Sequence, residues 1–273
     1  MGSISTPAVP DGLAARHAAR DNAILNTSGV APGFLQANLI VLLSCYTSDF
    51  RLLCKRNPVP CVLLAESADV GTFDELKSWV DGVTGESVAR GIDIRKDAPQ
   101  FMVYKDGPLV KSKCEGITAL TEAGLPPHHM VLGRVVPMYR TIIRLCPAGA
   151  FTGGTYLVSM WPYKKADIEK ARDVTRPYVT THGEPVAWGW DDVKVLGIDS
   201  VNKVDWDEPP VTENGEPLRE RERDEENVPV FFGCGVTPQE AVMRANLSGT
   251  IMGHAPGHMI VLDVKDEAVI QKS

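Results

Sequence analysis

The stretch "VPVFFGCGVTPQEAVM", Val228 to Met243, decides the fold class. Val228 to Phe232 is a nearly unbroken apolar run, of a length that suits a buried strand. Gly233-Cys234-Gly235 then gives the backbone a place to turn. Thr237 is placed to cap a helix, Pro238 suits its first turn, and "QEAVM" continues it. A buried strand running straight into a helix is a unit of α/β architecture. Ligands in such folds collect outside the carboxyl ends of the strands. Cys234 stands at such an end, and a helix N-terminus beyond Thr237 favours an anion there. The same field can activate a nearby thiol, and an inert buried cysteine is the plain alternative.

Working outward, "TYLVSMWPY" (Thr155 to Tyr163) reads as a strand, "KKADIEKARDVTRPY" (Lys164 to Tyr178) as an amphipathic helix, and "EPVAWGW" as another strand. Towards the N-terminus, Asp11 to Leu25 reads as an Ala-rich helix and Ala37 to Leu43 as a strand. Ser48 or Asp49 can cap a helix through "DFRLLCKR" that stops near Asn57, before Pro58. "PCVLLAE" is a second buried strand, Phe73 to Val80 a short helix, and Gln100 to Tyr104 with Leu109 to Lys111 a hairpin about "KDGP". Ile117 to Ala123 reads as a helix that stops at Gly124. The charged segment Asn214 to Asn227 reads as a solvated loop. The expected fold is α/β, a mixed sheet with flanking helices plus a smaller inserted α/β subdomain. The subdomain takes 136–182, and 1–135 with 183–273 form a discontinuous main domain.

The chain has 273 residues, 44% hydrophobic and 23% charged, with a net charge of −7. That composition belongs to an ordinary globular protein with one or two cores. The negative charge argues against nucleic acid or an anionic membrane as the main partner. The longest apolar run, Leu39 to Leu43, is far too short to span a bilayer. Six cysteines are scattered without a CxxC pair, which fits a reducing compartment and not a zinc module. No secretory signal is expected, and "MGSIST" is a chance match to the myristoylation pattern.

"GTIMGHAPGHMIVLD", Gly249 to Asp263, sets His254 and His258 four residues apart. Pro256 and Gly257 between them break any helix, so a helical zinc-binding face is the wrong template. The expectation is a turn that presents both histidines at the mouth of a strand from Met259 to Leu262, with no metal and no cofactor. In "VPMYRTII", Tyr139 and Thr141 share one face of a strand and Arg140 takes the other. In "CKRNP", Arg56 and Asn57 end a helix between apolar strands, where Arg56 can fork onto a carboxylate or sit as a surface cation. Phosphate-loop, dinucleotide-binding and nucleophile-elbow patterns are absent.

Taken in order, several segments resemble the hydro-lyase family that includes D-glutamate cyclase. They are "GVAPGFLQANLIVL", "DFRLLCKRNPVPCVLL", "DIRKDAPQFMVYKDG", "EAGLPPHHM", "VPMYRT", "CPAGAFTGGTYLVSMWP", "VPVFFGCGVTPQEAVM" and "HAPGHMIVLD". The resemblance implies a lyase that expels water and closes D-glutamate to 5-oxo-D-proline. Lactam closure needs a neutral amine, a clamped α-carboxylate and donors for the tetrahedral oxyanion. Arg140 and Arg56 are the candidate clamps, and His254 or His258 the base and acid. Asn38, Asn57, Tyr139 and the amides near Cys234 are the oxyanion donors, with Thr141 and Thr237 as further substrate contacts. The expected partner is a small carboxylate or amino acid, with no nucleic acid and no membrane; a homodimer is allowed. The expected location is cytoplasmic or mitochondrial. One departure stands out: "GPLVKSKCEGITAL" is about a helix shorter than the family pattern, and Cys114 and Glu115 lie within it. Rival readings are a dehydratase of another small hydroxy or amino acid, a non-catalytic binder of small carboxylates, and a Cys234-dependent enzyme.

Overall fold

A computed structural model describes residues 8–24, 26–59, 61–107, 136–179, 182–212, 214–218, 227–255 and 257–269. In chain order the elements are α1 (Gly12–Arg20), β1 (Phe34–Ala37), β2 (Ile40–Val41), α2 (Thr47–Arg56), β3 (Ala65–Ser67), β4 (Leu76–Ser78), α3 (Gly85–Val88) and β5 (Phe101–Lys105). They continue as β6 (Met138–Arg144), β7 (Thr155–Lys164), α4 (Ile168–Thr175), β8 (Ala187–Trp188), α5 (Trp190–Val195), β9 (Asn227–Gly233), α6 (Thr237–Arg244), β10 (Thr250–His254) and β11 (Ile260–Lys265).

The α/β content expected from the sequence is present. Every strand pairing among the described residues is antiparallel, in four sheets: β1-β11, β2-β10-β5, β3-β4 and β6-β7-β9-β8. The four-stranded sheet carries the longest strand. One face of β7 packs Leu157, Trp161 and Tyr163 with Val230, Phe232, Ile168 and Ala171. The other face packs Val158 and Met160 with Tyr139, Phe231 and Leu196. β8 and β9 lie beyond position 182, and β9 pairs with β7 from Asn227 to Gly233.

α1 is anchored by a buried cation. Asp11 caps the helix by accepting from the Ala14 N–H at 2.8 Å. Gly12 is required because a Cβ there would strike the Leu262 carbonyl. The closeness brings Arg16, fully buried, onto β11. Its Nη1 donates to the Val261 carbonyl at 2.6 Å, and its Nη2 to the Arg90 carbonyl and to Asp263 Oδ2, each at 2.8 Å. Asp97 lies 3.6 Å from Arg16 Nε and takes a two-pronged contact from Arg20.

Several expectations are corrected. Phe73 to Val80 is not a helix: Leu76–Ser78 pairs with Ala65–Ser67, and the Trp79 N–H donates to the Leu64 carbonyl. A three- to four-residue spacing of Phe73, Leu76 and Val80 fits a helix, but over so short a run the ladder partner decides. "PCVLLAE" forms a strand only from Ala65 onwards. The edge strand β5 pairs with β10, while its expected hairpin partner, Leu109 to Lys111, lies outside the described residues, as do Cys114, Glu115 and Ile117 to Ala123.

Removing the Arg16 charge should be costly, because Asp263 would lose its one fully buried cation and keep only the contacts of half-exposed Arg90, while Asp97 would be left to Arg20 alone. Arg16→Met is expected to lower unfolding free energy by about 3–5 kcal/mol in urea titration. A loss below about 1 kcal/mol would refute the anchoring role.

Candidate active site

Six consecutive residues of α6, Thr237 to Val242, are buried, although three of them are polar. Each polar side chain ties the helix to a different strand. Thr237 does not cap the helix through its side chain, contrary to expectation. Val236 occupies the cap position, and Thr237 Oγ1 donates to the Cys234 carbonyl at 2.7 Å while accepting from the Leu157 N–H of β7 at 3.1 Å. Gln239 Nε2 lies 3.0 Å from His254 Nδ1, at the end of β10, and donates to the His254 carbonyl at 3.3 Å; its Oε1 accepts from Tyr104 of β5 at 3.3 Å. Glu240 accepts a two-pronged contact from Arg140 of β6, at 2.9 and 3.1 Å, and another from Arg244 at 2.8 Å.

His254 is wholly buried. The Leu39 N–H donates to its Nδ1 at 3.1 Å, and the His254 N–H donates to the Leu39 carbonyl at 2.9 Å. Its Nε2 is buried with no hydrogen-bond partner among the described residues. Burial pulls its pKa down to about 4, against a smaller opposing effect of the Leu39 backbone, and His258 nearby pulls in the same direction as burial. The ring is therefore neutral at pH 7. His258 is also buried, in the turn after β10, where its N–H donates to the Ala255 carbonyl. Thr27 pins that turn: its N–H donates to the Gly257 carbonyl at 2.7 Å and its hydroxyl to the Met259 carbonyl at 2.8 Å.

The structure gathers part of the expected constellation. Asn38 lies against Gly235, where a Cβ would strike its side-chain amide. Leu39 next to it holds His254, and Cys234 and Thr237 form the turn into α6. Cys234 is buried in an apolar cluster with its sulfur 3.4 Å from Met138 Sδ.

Other expected residues have tasks elsewhere. Tyr139 and Thr141 do share the buried face of β6, but Tyr139 donates to the Val201 carbonyl at 2.6 Å and Thr141 to the Tyr156 carbonyl at 2.7 Å. Asn57 is stapled to Cys146 in both directions, at 2.9 and 3.0 Å. Arg56 is exposed and donates to the Pro147 carbonyl. The Arg140 fork is taken by Glu240 and Asp205, with its cation over Trp206. Burial would push the Glu240 carboxyl up, but Arg140 and Arg244 together hold it below its usual range. Gln239, Leu39 and Tyr104 were missed. Only Gln239 carried a signal, as a polar residue beside Glu240 in a run otherwise suited to burial. Among the described residues no group of three or more His, Cys, Asp or Glu is arranged to hold a metal, and no helix is long and apolar enough to cross a membrane.

A buried neutral histidine, held by the Leu39 backbone and by Gln239 of α6, is the centre of this arrangement. Residues 116–263 match the family model described as D-glutamate cyclase. A protein of Schizosaccharomyces pombe named "Putative hydro-lyase C5H10.01" is 35% identical, over 97% of this chain and 88% of its own. One from Stutzerimonas stutzeri named "Putative hydro-lyase" is 36% identical over 88% of each chain. A Geobacillus kaustophilus relative, "Putative hydro-lyase GK2103", is 35% identical over 93% of this chain and 94% of its own. The chain belongs to the D-glutamate cyclase family of hydro-lyases.

Two outcomes follow from this geometry. Because the His254 pKa sits below its ordinary value of about 6.5, the unfolded chain takes up its proton first as pH falls. Its share of stability is full above pH ~6.5 and declines by about 1.4 kcal/mol per unit down to pH ~4. Between pH 7 and pH 5 the wild type should lose ~2 kcal/mol more than His254→Asn in urea titration; equal losses would contradict a neutral buried ring. Arg140→Lys replaces a fork with a point charge that cannot serve Glu240 and Asp205 together. It should lower stability by about 1.5–3 kcal/mol while leaving substrate affinity nearly unchanged, and a calorimetric scan with a substrate titration reads both.

Proposed function

We propose that this protein closes a small amino dicarboxylate, D-glutamate or a near relative, to its lactam with loss of water. The observation that carries the reading is His254: fully buried, neutral at pH 7, with one ring nitrogen held by the protein and the other without a partner among the described residues. A buried polar atom without a partner typically costs about 1–3 kcal/mol. Such a cost is commonly tolerated where a substrate supplies the partner.

The chemistry is balanced within the substrate. The ammonium group gives up two protons, its nitrogen bonds the γ-carbon, and one γ-carboxyl oxygen takes both protons and departs as water. Folding the substrate so that amine and carboxyl meet supplies much of the rate, because the attack is intramolecular. Donors are then needed where the tetrahedral oxyanion forms. His254 and Asn38 are our candidates, together with the turn at Cys234 that leads into α6. Arg56, exposed at the end of α2, is the remaining candidate for the α-carboxylate, since the Arg140 fork is engaged by two acids. Tyr139, Thr141, Thr237 and Asn57 are assigned to holding this frame in place. His258 is assigned to the rim of the site. We propose metal-free chemistry, because Nδ1 of His254 already faces two donors. Free cysteines at 45, 54, 61, 146 and 234 support a reducing compartment, cytoplasm or mitochondrion.

A broader reading, dehydration of another small hydroxy or amino acid, is favoured by one observation. The relatives are named for hydro-lyase activity without a substrate. One experiment separates the readings. Purified, chelator-treated protein is incubated with D-glutamate, L-glutamate and related amino and hydroxy acids, and products are resolved by chiral chromatography. The expected product is 5-oxo-D-proline from D-glutamate. Product only from a hydroxy acid would support the broader reading, and binding without product would leave a carboxylate binder.

A further inference from the structure

We infer that Gln239 is the positioning residue of the site: oriented by Tyr104 and the His254 carbonyl, it fixes His254 in the tautomer with the proton on Nε2. His254 would then meet a substrate oxygen as a hydrogen-bond donor, not as a base. The catalytic consequence rests on the lactam-closing reading; the tautomer itself does not.

The geometry fixes each proton in turn. The Gln239 side-chain amide has one end 3.3 Å from the His254 carbonyl and the other 3.3 Å from the Tyr104 hydroxyl. A carbonyl oxygen can only accept, so the NH2 end must face His254. That same NH2 lies 3.0 Å from Nδ1. A backbone N–H, from Leu39, points at Nδ1 as well, at 3.1 Å, and a backbone N–H can only donate. Two independent donors thus converge on Nδ1, which must be an acceptor. The one competing arrangement is Nδ1–H donating to the Leu39 carbonyl. That oxygen is 3.4 Å away and already accepts from the His254 N–H at 2.9 Å. A proton on Nδ1 would also face both donors. The ring proton therefore resides on Nε2, the nitrogen buried without a partner among the described residues.

The sequence makes room for this contact. Gly253 has no side chain to hold Gln239 away: a Cβ there would lie 3.3 Å from the Gln239 amide nitrogen and 3.4 Å from the Leu39 carbonyl. No carboxylate competes from the helix side, because Glu240 is committed to Arg140 and Arg244. Among the described residues, the titratable groups facing His254 are His258 from the following turn and Tyr104 of β5 through Gln239. A neutral imidazole with Nε2–H directed at a developing oxyanion acts as an electrophile, and its proton need not leave.

The test reads the tautomer directly. Protein with 15N-labelled histidine is studied by long-range 1H–15N correlation at pH 7, with the His254 signals assigned by their loss in His254→Asn. The expected result is a neutral ring protonated at Nε2; an Nδ1–H ring or an imidazolium at pH 7 would overturn the inference. Gln239→Glu keeps the side chain's size but puts an acceptor against Nδ1. It should move the proton to Nδ1, raise the ring pKa, and lower kcat by roughly 10²–10³-fold with little change in KM. If this variant misfolds, Tyr104→Phe removes the hydroxyl that orients the amide and should give a mixed tautomer signal with a smaller kcat loss. An unchanged spectrum in whichever variant folds, with unchanged kcat, would defeat the positioning role. An Nε2–H wild type that turns over no amino dicarboxylate would leave the tautomer standing and remove the proposed reaction.

Discussion

The fold depends on a short helix that has no solvent face over its first six residues. Helices of eight residues gain little from propensity and hold through tertiary contacts. In α6 those contacts are polar as well as apolar. Thr237 is bonded into β7, Gln239 to β5 and β10, and Glu240 to β6. The four-stranded and three-stranded sheets share no ladder hydrogen bond among the described residues. α6 is thus a connector between them. A buried polar side chain is expensive unless satisfied, so each of these contacts also fixes the helix in one rotation and one depth.

The other end of the molecule uses the same device with a cation in place of a helix. Arg16 gathers β11, the Arg90 carbonyl and two carboxylates around one guanidinium, whose planar fork suits several acceptors at once. β11 follows directly on the turn that holds His258, and Thr27 pins that turn from the N-terminal side. The N-terminal segment therefore reaches the candidate site in two ways, through the backbone of β11 that Arg16 holds and through the Thr27 hydroxyl on the turn before it. Charged groups at both ends are spent on architecture. The centre is left with a neutral histidine, whose suppressed pKa follows from burial.

This division of labour sets what a sequence can say of its polar residues. An arginine in a strand beside Tyr and Thr has the chemistry of a carboxylate clamp. Whether the carboxylate belongs to a substrate or to Glu240 is a question of which helix packs on that strand. Gln239 carries no charge and no nucleophile, and only the packing of α6 beside β10 sets it 3.0 Å from a histidine fifteen residues away.

What the sequence determined by itself was local. Apolar run lengths located β7, β9 and β11; Pro256-Gly257 excluded a helical histidine pair; alternation put Tyr139 and Thr141 on one face of β6 and Arg140 on the other. These depend on the backbone's periodicity and on Pro and Gly stereochemistry, which act within a few residues. Short segments such as Phe73 to Val80 escaped it, since a three-residue strand is defined by its ladder partner. Tertiary structure alone decided which polar groups meet. It closed Arg140 onto Glu240, turned Thr237 from a cap into a brace for β7, and brought Leu39 and Gln239 onto one nitrogen of His254. Hydrogen bonds act over about 3 Å between residues up to 247 positions apart, and no local pattern encodes that closeness.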